Sequence, residues 1–298
     1  MIRPTIKSRY HQIEKACGEL SRLQMITFER LKRMPLAGDE LILEALLRRG
    51  YLASRDDESV WLAKGSHAAD LEQLSEFVDV TKQVNHKLIC ARLRVRRASE
   101  CIEVAARIIG VPENKGRMTC LGLGPFIYPC WKQYRKARYG AKLAVGPSDS
   151  RFGALDTGIA LLVKALPLAG VITRCSCDGH GQEAPWVSLW TVWDDVWFAA
   201  ILNQPELIQW RDDWFLEPDG RADIEGGRIV IRPKGDRYDD ESLGKMLDRV
   251  QAFARRLLDL NLSRDLIDRR QQALSEVGEA PPTKRTWEQA CAKWLGPN

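Results

Sequence analysis

What this chain lacks narrows its class before any motif is read. No apolar run approaches the roughly 18 residues that a membrane-spanning helix needs, and the opening residues Met1-Ile2-Arg3-Pro4-Thr5-Ile6-Lys7 contain no apolar core of a secretory signal. The expectation is a cytoplasmic protein with no membrane segment. No Gly-Lys-Ser/Thr follows Gly122-Leu123-Gly124-Pro125, which excludes a phosphate loop there, and no internal repeat is visible. Cysteine is too scattered for a disulfide framework: the eight stand at 17, 90, 101, 120, 130, 175, 177 and 291. In a reducing compartment such usage favours free thiols or a metal site. Carboxylates are scarce between residues 82 and 142, where only Glu100, Glu103 and Glu113 occur.

What is present is the composition of a folded protein, 298 residues with 45% hydrophobic and 29% charged side chains, a length that suggests about two domains. The net charge of +5 hides an asymmetry. Residues 1–145 hold 26 Lys/Arg against 16 Asp/Glu, a balance of +10, and residues 146–298 hold 19 against 24, a balance of −5. Residues 82–142 alone carry 14 basic side chains against 3 acidic ones, or +11. Like charge at this density repels itself, and nucleic-acid phosphate neutralises it with release of counterions. Within the band, Arg92, Arg94, Arg96 and Arg97 crowd together. Further on, Lys132, Arg135, Lys136 and Arg138 alternate with Trp131 and Tyr134, a mixture suited to gripping phosphates while stacking on bases. A competing reading pairs the excess within the molecule, with Asp194-Asp195, Asp212-Asp213 and Asp239-Asp240-Glu241 of the second half.

The pattern along the chain predicts an α+β fold, with a mainly helical basic region over 1–145, an α+β domain over 151–275 and a flexible tail with a short helix over 276–298. In the first region, helical spacing before Met34-Pro35, a helix over Asp39–Arg49 ending at Gly50, and a hairpin around Tyr51–Leu62 give the order of a winged helix at 22–65. That motif turns Asp39–Arg49 toward DNA; the other reading is a small helical cap with a surface hairpin. Ala68–Gly110 reads as mainly helical, with Lys87–Val95 as an alternative strand. Gly146-Pro147-Ser148-Asp149-Ser150 is the linker. Beyond it, Asp156 caps a helix, strands follow near 171–176 and 185–191, then a Trp-rich helix over 192–203, strands near 212–217 and 227–232, and an amphipathic helix over Asp239–Leu260. This order calls for an antiparallel or mixed sheet covered by helices. Trp193 and Trp197 fall at i and i+4 and read as a core stripe.

The densest chemistry is Val171-Ile172-Thr173-Arg174-Cys175-Ser176-Cys177-Asp178-Gly179-His180. On a strand, Cys175 and Cys177 share one face. With His180 they offer three ligands to zinc, the fourth coming from Cys120, Cys130 or an acidic residue brought close by folding. The same residues offer a second chemistry, with Cys177 as nucleophile, His180 as base and Asp178 orienting the imidazole. A third reading is structural: both cysteines pack as small core residues, Asp178-Gly179 makes a turn and His180 is solvated.

The segment 156–180, an apolar helix followed by a strand and turn with Ser176, Cys177 and Gly179, resembles the opening of the tRNA wybutosine-synthesis methyltransferase family. That family's motif runs Ser-Ser-Cys-Ser-Gly-Arg, from which Cys175, Asp178 and His180 depart. The resemblance covers about 25 of 298 residues and implies RNA modification with S-adenosylmethionine, this loop lining the site. The charge pattern points to a protein that binds DNA or RNA through its basic band. The alternatives are a nucleic-acid-modifying or hydrolytic enzyme working at 175–180, and an interaction subunit of a larger nucleoprotein complex that docks through the basic face and the Trp287–Leu295 tail.

Overall fold

The computed structural model describes residues 20–51, 53–55, 60–62, 78–85, 88–95, 100–110, 156–217, 226–232, 238–260, 264–275 and 289. Helix α1 (Arg22–Arg33) begins where Ser21 and Gln24 close a capping box: the Gln24 N–H donates to Ser21 Oγ at 3.4 Å and the Ser21 N–H to Gln24 Oε1 at 2.9 Å. It stops at Met34, which the following Pro35 holds in extended backbone. Helix α2 (Asp39–Arg49) ends on Gly50, left-handed at φ +97°. A β-carbon at Gly50 would lie 2.3 Å from Ala160 Cβ, so the same glycine permits the close approach of the second half of the chain. Strands β1 (Ala53–Arg55), β2 (Val60–Leu62), β3 (Val78–Asn85) and β4 (Leu88–Val95) pair antiparallel in the order β1-β2-β4-β3, and α3 (Cys101–Gly110) follows.

The second half runs α4 (Ala160–Leu168), β5 (Thr173–Cys177), β6 (Trp186–Leu189), α5 (Val192–Ile201), β7 (Trp214–Glu217), β8 (Arg228–Ile231), α6 (Asp240–Leu258) and α7 (Arg264–Ser275). Its four strands form a second antiparallel sheet, ordered β5-β6-β8-β7. The chain is therefore α+β. The apolar stripe expected on α6 is buried, as are Trp193 and Trp197, and the Trp197 indole N–H donates to Ala169 O at 2.8 Å. Asp194 and Asp195 are structural: Asp194 forms a capping box with Thr191 and accepts the Ile172 N–H, and both oxygens of Asp195 accept the Gly227 N–H. Helix α1 contributes to both cores, Leu23 and Ile26 to the one around the second sheet and Phe28 and Leu31 to the one it forms with α2, α3 and Val60. Among the described residues no helix is long and apolar enough to cross a membrane.

Three expectations need correction. Strands β3 and β4 pair as a hairpin where 68–110 was read as mainly helical: β4 matches the alternative strand over Lys87–Val95, and in β3 Val78, Val80 and Val84 alternate with Asp79, Thr81 and Gln83 at the period of two that β-branched residues favour. Helix α7 stands where no helix was expected; its charged sequence hides the buried Leu266, Arg270, Ala273 and Leu274. The helix-helix-hairpin order of 22–65 is present, but α2 does not turn outward as a groove-reading helix. Its Arg48 and Arg49 are only 3% and 1% exposed. The proposed linker, 276–286 and all of Trp287–Leu295 except Gln289 lie outside the described residues.

Arg48 is buried because it belongs to an ionic seam that joins the halves. Its Nε donates to Glu44 Oε1 and its Nη1 to Asp248 Oδ1, both at 2.8 Å. Arg30 on α1 donates its Nε to the same Asp248 at 2.7 Å, and Arg255 on α6 reaches back to Glu44 Oε2 at 2.8 Å. Shared carboxylates in partial burial repay their desolvation only while each cation stays in place. Arg48→Met is expected to cost about 2–3 kcal/mol, read as a lower urea midpoint with an unchanged slope; an unchanged midpoint would show that the seam is decorative.

Candidate metal centre

Strand β5 lies at one edge of the second sheet, and its C-terminal end turns sharply through Asp178-Gly179-His180-Gly181. Residues 179–181 all have positive φ, at +80°, +47° and +75°, and His180 is the one non-glycine residue described with such backbone. Asp178 makes the turn, its Oδ1 accepting the His180 N–H at 3.1 Å. The Gly179 N–H donates to Cys177 Sγ at 3.3 Å.

The second wall of the site comes from the loop ahead of α4. Asp156 was expected to cap that helix with its side chain; instead Ile159 occupies the cap position with no side-chain bond. The Asp156 carbonyl accepts the Ala160 N–H at 3.0 Å, which leaves its carboxylate to accept the Asp178 N–H at 3.2 Å. This crossing brings four donor groups together. The Asp156 carboxylate, Cys177 Sγ, Asp178 carboxylate and His180 imidazole all offer ligand atoms within 4.8 Å of one another. Tetrahedral zinc with bonds of about 2.0–2.3 Å sets its donors roughly 3.5 Å apart, so closure needs small side-chain shifts only.

Electrostatics make this arrangement costly without a cation. Burial raises the Asp178 pKa and the Asp156 charge raises it further, against the His180 N–H, the His180 ring and the Gly158 N–H, which lower it. Burial also pushes the Cys177 thiol up, as do Asp156, Asp178 and Glu183, while the Gly179 N–H opposes them. A thiolate nucleophile needs the opposite environment. His180 has a side chain 70% exposed, its Nδ1 3.4 Å from Asp178 Oδ1, long for a hydrogen bond.

Cys177, Asp178 and His180, read from the sequence as one constellation, are thus brought together. Asp156 joins them from 22 residues upstream; its sequence signal was that of a helix start, and folding alone supplies the contact. Cys175 lies in β5 opposite Ser188, with its side chain outside those described, as are Cys120 and Cys130. Of the basic band, Arg107 has a described side chain and pairs with Glu103 at 3.0 Å. Arg92 and Arg94 lie on β4, while Arg96, Arg97, Trp131, Lys132, Tyr134, Arg135, Lys136 and Arg138 fall outside the described residues. No family model, curated protein or solved structure matches the chain, so the local resemblance of 156–180 rests on Ser176, Cys177 and Gly179.

The raised Asp178 pKa has a consequence for stability. The metal-free native state holds that proton more tightly than the unfolded chain, so the contribution is present at low pH and lost as pH rises through the raised value. A cation competes with the same proton and acts in the opposite sense. Thermal stabilisation by added zinc is expected to grow as pH rises and to vanish in Asp178→Ala. Stabilisation that is independent of pH, or retained in that variant, would argue against the site.

Proposed function

We propose that this chain is a nucleic-acid-binding protein that carries a zinc ion at Asp156, Cys177, Asp178 and His180. The convergence of these four donors within 4.8 Å carries the zinc assignment. One thiolate, one imidazole and two carboxylates form a complete four-ligand set, the pattern of a closed structural site, which ties the end of β5 to the loop ahead of α4. Zinc also suits the softness of a mixed sulfur, nitrogen and oxygen set better than magnesium or calcium, which prefer oxygen alone. Catalysis by Cys177 with His180 and Asp178 has less support, since burial and then the carboxylates around the thiol disfavour its ionised form.

The nucleic-acid half of the reading is supported by the register of the first sheet. Val60, opposite Leu93, which is itself opposite Val80, is 1% exposed against the helices. The next row sets Trp61 opposite Arg92 and Arg92 opposite Thr81, and Arg94 stands two residues along. The register thus sets Arg92 beside Trp61 and Arg94 opposite Asp79, a local pairing of cation and aromatic suited to a phosphate backbone with a base stacked nearby. Three cations of α1 and α2 are engaged within the molecule: Arg22, Arg30 and Arg48 pair with Asp240, Glu241 and Asp248.

Binding to mixed-sequence RNA or DNA is expected to weaken steeply with salt, and the double change Arg92→Ala, Arg94→Ala to reduce the slope of log affinity against log salt by about two. Filter binding or fluorescence anisotropy across a salt series reads both. Binding that ignores salt, or no binding at low salt, would refute the nucleic-acid half. For the metal half, cobalt-loaded protein is expected to show a thiolate-to-cobalt charge-transfer band that Cys177→Ser removes; a band that survives the change would exclude Cys177 as ligand.

A further inference from the structure

The first turn of α1 supports the candidate metal centre from outside its ligand set. Arg22 donates Nη1 to Gly181 O at 3.1 Å, one residue past His180. Its Nε and Nη2 meet Asp240 Oδ1 at 3.0 and 2.9 Å, and Nη2 also donates to Tyr238 O at 2.9 Å. A β-carbon on Gly181 would stand 3.0 Å from Arg22 Nη1, so the guanidinium lies directly on the turn. Two residues along α1, Gln24 Nε2 reaches Thr157 Oγ1 at 3.5 Å, next to Asp156. One helical turn therefore touches both segments that bear ligands, although all four ligands come from the second half of the chain.

The turn needs such support. His180 is held at φ +47°, a left-handed conformation that a β-carbon disfavours, and its side chain is the most exposed of the four donors. Nothing in β5 itself restrains a residue three positions beyond the strand end. Groups that orient a ligand from behind set affinity nearly as strongly as the ligand.

Resting on the zinc reading, we propose that Arg22 is a positioning residue of the metal centre: by gripping the Gly181 carbonyl it keeps the His180 imidazole with Asp156, Cys177 and Asp178. Zinc affinity then depends on the Arg22 guanidinium staying on the Gly181 carbonyl, and by reciprocity zinc strengthens that contact. The Arg22–Asp240 pair is half exposed on one side and more so on the other, and pairs of that kind contribute little to global stability. A loss of affinity on removing Arg22 consequently reports on positioning.

The test measures zinc affinity by competition with a chromophoric chelator, together with the ligand-field spectrum of cobalt-loaded full-length protein, for wild type, Arg22→Ala, Asp240→Asn and Arg30→Met. Arg22→Ala is expected to weaken zinc about 10- to 100-fold and to shift the cobalt bands as His180 loosens. Asp240→Asn shifts affinity the same way by less, and serves alone should Arg22→Ala fail to fold. Arg30→Met breaks the seam on the same helix without touching the turn, and retains affinity. Wild type that takes up no zinc or cobalt sinks the metal reading itself. Wild-type binding left unchanged by Arg22→Ala and Asp240→Asn overturns this inference alone, as does an equal loss in Arg30→Met, which would make the effect one of general destabilisation.

Discussion

Two carboxylates crowd a partly buried thiol where the loop ahead of α4 meets the end of β5, and this is the strongest electrostatic constraint at the candidate site. Asp156 and Asp178 are drawn together because the carboxylate of the first accepts the backbone N–H of the second. The same bond brings the loop ahead of α4 against the end of β5, beside Cys177. Backbone N–H groups from Gly158, Gly179 and His180 offset part of the negative potential, yet burial and mutual repulsion still leave both Asp178 and Cys177 holding their protons harder than usual. A cation bound at their focus, as proposed, would convert the repulsion into ligation. Glycine makes the geometry attainable: a β-carbon at residue 158 would strike Leu247 at 2.4 Å and press on Asp178 at 3.3 Å.

The charge distribution of the chain takes on a different meaning once α1 and α2 are seated. Much of the acidic excess of the second half faces these helices, with Asp240, Glu241 and Asp248 lying against Arg22, Arg30 and Arg48. Pairing with the acidic second half, one of two readings of the 82–142 excess, is thus seen instead for cations of α1 and α2, which lie outside that band. Within the 82–142 band, Arg107 is answered by Glu103 on its own helix. The seam and the candidate metal centre also share a helix, since Arg22 and Arg30 both rise from α1. Docking of the halves, shielding of charge and support of the turn are consequently mechanical neighbours.

Periodicity made much of this fold legible. The stripe from Leu243 to Leu257 identified α6, Trp193 and Trp197 identified the buried face of α5, and the closeness of Cys177, Asp178 and His180 follows from their being near-consecutive at a strand end. What escaped the sequence was long-range or ambiguous in period. Val78 and Val84 also fit the helical stripe that runs from Leu71 to Leu88, so only the Lys87–Val95 strand was open to the sequence, and the pairing that makes a hairpin with β3 is a cross-strand property. The burial of Arg48 depends on Asp248, 200 residues away, and no local pattern announces it. Asp156 is ambiguous in the same way: an acidic residue ahead of an apolar helix reads as a cap, and only the crossing of its loop with β5 turns it toward the thiol.

X-ray absorption at the zinc edge of the full-length protein tests the central claim most directly, because it counts donors without altering any residue. Four protein ligands from Asp156, Cys177, Asp178 and His180 predict a single sulfur at about 2.3 Å among nitrogen and oxygen scatterers at about 2.0–2.2 Å. A shell with two or more sulfurs, with none, or a protein that retains no zinc would contradict it.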